Sequence, residues 1–251
     1  VIAEALDAVS DEEEHTYLGS LYAVFGKNCE LLRWGKLPVT SPHGFTLLND
    51  GTLFYLGRLY GHEDVTGIPG SAEDKIGFVT SSDGARFSEP VWLTLPERES
   101  KAGYLFCEPH AVQLQSGRIL AQVRVQKEGV FTIYQCISDD NGKTFGPMQP
   151  LAVPEGAFNG SPPHLLETAE GEVVLVYGRR IPPYGQRARI SRDGGESWSE
   201  EVVLRGDGKS WDLGYPASVQ CADGTILTVY YQRLKKAGNQ AIQYTKWKTG
   251  R

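Results

Sequence analysis

A chain of 251 residues, 22% of them charged and 40% hydrophobic, has the composition of a packed globular protein and not of a disordered one. Its net charge of −6 gives no general attraction to nucleic acid or to an anionic membrane, so an anionic ligand would need a local cluster of arginines. No apolar stretch reaches the roughly 18 residues that a membrane span needs.

The chain opens at Val1 with no secretory leader, which reads as a processed protein or a piece of a longer one. The expectation is a soluble protein, secreted or periplasmic if a signal has been removed. Residues 1–14 are acidic and read as a separate N-terminal segment, a short helix or a frayed end. Residues 15–251 read as one domain. Within it, the run HTYLGSLYAVFGKNCELLRWGKLPVT over 15–40 is able to supply strands ahead of a repeating pattern.

That pattern is a phrase used four times: a proline, eight or nine residues, a glycine, then a hydrophobic run. The copies are PHGFTLLNDG from Pro42, PHAVQLQSG from Pro109, PHLLETAEG from Pro163 and PASVQCADG from Pro216. Their glycines, Gly51, Gly117, Gly171 and Gly224, stand 66, 54 and 53 residues apart. After each glycine, residues 52–60, 118–126, 172–180 and 225–233 are rich in β-branched and aromatic residues and predict strands. The glycines are expected to close hairpins, and the prolines to head the preceding strands, where a missing amide hydrogen does little harm. A repeat of about fifty residues built from short strands predicts the blades of an all-β propeller.

A second phrase follows in three repeats: SSDGARF from Ser81, SDDNGKTF from Ser138 and SRDGGESW from Ser191. The physics is that of a tight turn, in which Asp accepts backbone amides, Gly takes a left-handed conformation and the aromatic tucks underneath. Asp83, Asp140 and Asp193 are therefore assigned to structure. Cys29, Cys107, Cys136 and Cys221 show no CxxC spacing and read as small buried apolar residues, neither a zinc site nor a disulfide framework.

These turns resemble the Asp-boxes of the sialidase superfamily, and the likeness covers residues 42–248. It implies a sialidase-like β-propeller of four-stranded antiparallel blades, six in the family. Four blades are clear here, so the chain is either a five-bladed ring or a six-bladed one missing an N-terminal blade.

In propellers the ligand site lies at one end of the central channel, which singles out the polar residues beside the four prolines. They are His43, Glu108 with His110, His164, and Tyr215 with Asp212. The segment CEPHAVQLQSGRILAQVR resembles the sialidase segment carrying a catalytic Glu and a carboxylate-binding Arg, which implies those roles for Glu108 and Arg124. PPYGQRARISRDGGESW resembles the segment with the next such arginine; Arg187 fits best, with Arg180 the alternative. DLGYPASVQCADGTILTVYY resembles the segment with the nucleophilic tyrosine, here Tyr215.

Planar guanidinium groups suit a sugar carboxylate, a neutral phenol is not repelled by that carboxylate, and a phenol needs a base. Tyrosine nucleophiles are the known departure of sialidases from the two-carboxylate rule. The pattern also departs from the family. Thr40-Ser41-Pro42 stands where an arginine would precede the proline, and the leaving-group acid has no firm counterpart beyond Asp64.

Each residue also has a structural reading: Tyr215 packing on Trp211, Glu108 capping a strand, the arginines pairing with acids, the histidines sharing a structural hydrogen bond. The leading expectation is a retaining hydrolase of a terminal acidic sugar, with no cofactor and no metal. The alternatives are a hydrolase or lyase of other specificity that uses the histidines and Glu108, and a non-catalytic carbohydrate-binding propeller.

Overall fold

The computed structural model describes residues 20–37, 39–59, 75–154, 158–233, 235 and 238–250. The acidic segment 1–14 and Asp64 lie outside the described residues. The chain divides into two compact units, Val1–Glu108 and Pro109–Arg251.

In the first unit, β1 (Ser20–Phe25) pairs antiparallel with β2 (Leu31–Leu37). A four-stranded sheet follows in chain order, β3 (Thr46–Leu47), β4 (Leu53–Leu59), β5 (Lys75–Ser81) and β6 (Val91–Trp92). A short helix, α1 (Glu97–Lys101), comes next. Strand β7 (Leu105–Gln113) begins in this unit and continues into the second. There it leads the sheet β7, β8 (Ile119–Lys127), β9 (Val130–Ser138), β10 (Gln149–Pro150). The next sheet runs β11 (His164–Glu167), β12 (Val173–Arg179), β13 (Gly185–Ser191), β14 (Val202–Val203), and the last runs β15 (Gly214–Gln220), β16 (Ile226–Arg233), β17 (Gln240–Trp247).

These antiparallel sheets, strands in chain order, are the blades of a β-propeller, the all-β class that the repeat predicts. Three blades have four described strands; the last has three. Among the described residues no helix is long and apolar enough to cross a membrane.

The predicted strands appear within a residue of their expected limits as β4, β8, β12 and β16. Each repeat glycine sits at φ between 76° and 92° and donates its amide three residues back, to Leu48, Leu114, Thr168 or Cys221. Such a three-residue loop ending in a left-handed glycine is a hairpin whose twist matches its strands. Pro42 and Pro163 precede their strands, but Pro109 and Pro216 lie inside β7 and β15. Both are edge strands of their sheets, so the missing amide costs no ladder bond on the open side.

The Asp-box turns are built alike. The Ser138 and Ser191 hydroxyls each contact the Asp two residues on, at 2.8 and 2.7 Å, and accept the Gly142 and Gly195 amides at 2.8 Å. Asp140 and Asp193 in turn accept the Thr144 and Ser197 amides at 2.9 and 3.0 Å. Hydrogen bonds from Thr144 hold the Asp140 carboxyl down to about 2. Burial pushes Asp193 up, but Ser197 and Ser191 outweigh it and leave it also at about 2. Trp198 closes the last box and reaches the core with Leu114, Leu120, Ile133, Leu165, Leu175 and Tyr177, drawn from two successive blades.

The cysteine expectation needs correction. Cys107 and Cys136 are buried as predicted, but Cys29 and Cys221 are exposed. Both lie in hairpin turns, where the backbone bends away from the core.

Gly195 has φ 91°, and a Cβ there would stand 2.6 Å from Cδ1 of fully buried Leu120. Gly195→Ala adds left-handed strain to overpacking, at about 2–4 kcal/mol. The expected result is a fall of roughly 5–15 °C in the unfolding midpoint, read by calorimetry.

Candidate functional site

Five non-glycine residues among those described have positive φ: Cys29, Glu108, Glu128, Asn141 and Tyr215. Cys29, Glu128 and Asn141 belong to turns, where a left-handed residue is ordinary. Glu108 (φ 48°) and Tyr215 (φ 47°) do not; they stand inside β7 and β15, each followed by proline. A residue before proline is pushed toward the extended region, and a side chain with a Cβ resists positive φ. Strain of this kind costs on the order of 1–3 kcal/mol and persists where the surroundings enforce it. At Tyr215 the register with β16 slips between Gly214 and Ala217, a bulge that turns the side chain out of the regular alternation.

Within the second unit, Tyr215 stacks on Tyr231, ring centroids 5.9 Å apart and planes 23° apart. Trp211, the packing partner that the sequence suggests for Tyr215, stacks on Phe131. The Tyr231 hydroxyl donates to Asp212 Oδ1 at 2.7 Å, and Gln240 donates to Oδ2. Burial, reinforced by that carboxylate, pushes Tyr231 up to about 12, so it stays a neutral phenol. Asp212, expected beside a ligand, thus spends both oxygens on Tyr231 and Gln240.

Arg124 and Arg180 converge on one ring. Each guanidinium carbon lies 5.4 Å from the centroid of Phe131, so the two are at most twice that distance apart. Both side chains are buried. Arg180 donates to the carbonyl of Ser161 at 3.2 Å and of Trp211 at 3.1 Å, and Arg124 donates to the Gln126 side-chain oxygen. Trp211 itself is half-exposed above this cluster, its ring 6.3 Å from Phe131.

Arg187, the better of the two sequence matches, is elsewhere engaged. Its Nε meets Glu201 at 2.8 Å, and its other nitrogens donate to the carbonyls of Pro183, Gln186 and Arg205. Glu201 also accepts from Tyr177 at 2.8 Å and Arg179 at 3.1 Å. This buried network braces the blade of β11–β14 and takes up four of the five N–H donors of Arg187.

The repeat-position histidines divide. His43 lies in the first unit, beside a hollow lined by Tyr22, Phe45 and Tyr55. His110 and His164 lie in the second, stacked 4.5 Å apart with planes 16° apart. The Leu165 amide donates to His110 Nδ1 at 2.9 Å, so the His110 proton sits on Nε2 if the ring is neutral. Among the described residues no three His, Cys, Asp or Glu side chains come together as metal ligands.

The sequence of the BNR repeat-like domain family matches residues 97–228, more than half of the chain. The chain belongs to that family. No curated protein matches it in sequence. Among solved structures, a protein of unknown function from Dyadobacter fermentans shares 26% identity over 94% of this BNR repeat-like chain and 62% of its own length, with a TM-score of 0.67. A Hadza microbial sialidase shares 12% identity over 93% of this chain and 53% of its own length, at a TM-score of 0.64. An endo-arabinase from Bacteroides thetaiotaomicron shares 13% over 83% and 75%, at 0.60. The chain therefore spans about half to two-thirds of the first two proteins.

Phe131, Tyr231 and Glu201 had no marker in the sequence. Only cross-strand neighbourhood brings them to the arginines and to Asp212.

Burial pulls His164 down to about 4, below the ordinary histidine value. The unfolded chain then takes up the proton first, so this contribution is complete above pH ~6.5 and shrinks as pH falls toward 4. Thermal midpoints measured between pH 7 and 4 should fall less steeply in His164→Gln than in the parent.

Proposed function

We propose that this propeller hydrolyses glycosides whose terminal sugar carries a carboxylate, with retention at the anomeric carbon. Arg124 and Arg180 hold the carboxylate, Tyr215 is the nucleophile and Glu108 the base. In the first step the Tyr215 oxygen bonds to the anomeric carbon as the glycosidic C–O bond breaks. The phenol proton passes to Glu108, and an acid protonates the departing oxygen; Asp64 is this chain's candidate for that role. Water then attacks the anomeric carbon, giving its proton to the deprotonated acid, as the tyrosyl–sugar bond breaks and Glu108 returns its proton to the Tyr215 oxygen.

The observation that carries the reading is the shared backbone of Glu108 and Tyr215, the two left-handed residues that turns do not explain. Both residues carry side chains in a backbone conformation that glycine adopts at no steric cost, which supports a role for the side chains themselves. The arginine pair supports it: Arg180 and not Arg187 joins Arg124, because Arg187 is committed to Glu201. The fold shared with a sialidase agrees with this reading.

A second reading is a glycan hydrolase or lyase of other specificity that uses the His110–His164 pair. The fold shared with an endo-arabinase and with a GH93 α-L-arabinofuranosidase from Fusarium graminearum favours it.

Release of fluorophore from a sialic-acid glycoside between about pH 5 and 7 tests the first reading, with an arabinose-based probe for the second. Tyr215→Phe and Glu108→Gln are each expected to lose about 100- to 10,000-fold in turnover with the midpoint unchanged. Turnover of the acidic probe that survives in Tyr215→Phe rejects the tyrosine mechanism.

Glu108→Gly separates strain from chemistry. Relief of the left-handed penalty exceeds the entropic cost of glycine, so stability should rise by about 1 kcal/mol, or roughly 2–4 °C, while turnover is lost.

A further inference from the structure

We infer that Phe131 is the positioning residue of the arginine clamp: its ring fixes both Arg124 and Arg180, so that their aim depends on a side chain that touches no substrate. The binding part of this inference rests on the carboxylate reading above; the geometric part does not.

Two buried guanidinium groups that share one ring repel one another, and each sits on a long, rotatable stem. An aromatic face answers both problems, because its electron-rich surface attracts each cation and its flatness sets the plane in which a guanidinium lies. Phe131 presents its ring to both arginines at the same 5.4 Å. It is half-buried and stands outside the aliphatic cluster formed by the neighbouring strands.

The surrounding bonds explain how the ring stays in place. Phe131 pairs across the ladder with Gln126, and the side chain of Gln126 takes the Arg124 hydrogen bond. On the other side, the Phe131 carbonyl accepts the Gly160 amide at 2.9 Å, and the carbonyl of the next residue, Ser161, accepts Arg180 Nε at 3.2 Å. Trp211 stacks on the ring, and its own carbonyl holds Arg180 Nη1. Each arginine is thus tied twice to Phe131, once through the ring and once through a residue that Phe131 itself positions.

The test compares Phe131→Leu, which keeps apolar bulk, with Phe131→Tyr, which keeps the ring face. Calorimetric titration uses N-acetylneuraminic acid and, as its uncharged counterpart, the methyl ester. Loss of two cation–ring contacts predicts about 5- to 30-fold weaker binding of the acid by Phe131→Leu, no more than about a threefold change for Phe131→Tyr, and no selective change for the ester. Equal weakening of acid and ester, or unchanged acid binding by the leucine variant, overturns the role.

Side-chain NMR of the ligand-free protein reads the geometry by itself. The Nε–H signals of Arg124 and Arg180 should be displaced by the ring current in the parent and in Phe131→Tyr, and should return toward ordinary values in Phe131→Leu. Signals that do not move reject the inference. If the parent binds neither acid nor ester, the carboxylate reading fails, and the NMR comparison still decides whether Phe131 holds the arginines.

Discussion

The first strand of each blade is hydrogen-bonded on one side only, and the chemistry proposed for this protein depends on that open edge. A proline can sit inside β7 or β15 because no partner on the open side asks for its amide. The residue before that proline can then be driven into a left-handed conformation, with a bulge at Tyr215 absorbing the irregularity. In a central strand the same distortion would break two ladders. The blade supplies rigidity from β8, β9, β12 and β16, whose buried faces hold the core, and leaves its inner edge to carry strained polar residues.

Arginines show a second division of labour. Arg187 is held by one carboxylate and three carbonyls and serves the blade as a brace. Arg180, seven residues earlier and just past the end of β12, is anchored by the neutral carbonyls of Ser161 and Trp211 and by the Phe131 ring. The two residues look interchangeable as letters and differ in the partners that their positions give them.

The fold was legible because its determinants are local. Gly51, Gly117, Gly171 and Gly224 each close a hairpin by their own φ, and Ser138–Asp140 and Ser191–Asp193 complete their turns within a few residues. The candidate site offered a landmark in the sequence only where a residue sits next to such a turn or proline, as Glu108 and Tyr215 sit next to their prolines. The preference proposed for Arg180 over Arg187 depends on where β12 stops and what Glu201 reaches, and both are facts of packing. Phe131 is one aromatic among many in the chain, and nothing in KEGVF marks it apart. Cys29 and Cys221 were misread for the complementary reason: composition suggests burial, whereas the turns that hold them face outward.

The last Asp-box also ties one blade to the one before it. Its Gly195 carbonyl accepts the Gln135 side chain at 2.8 Å, Glu196 meets Arg118 at 2.6 Å, and Trp198 lies in a core shared with Leu120 and Ile133. A motif whose internal bonds span only eight residues is therefore a latch across a blade boundary. Local opening of that turn exposes apolar surface on two blades at once, which joins its backbone amides to the same cooperative unit as the strands beneath.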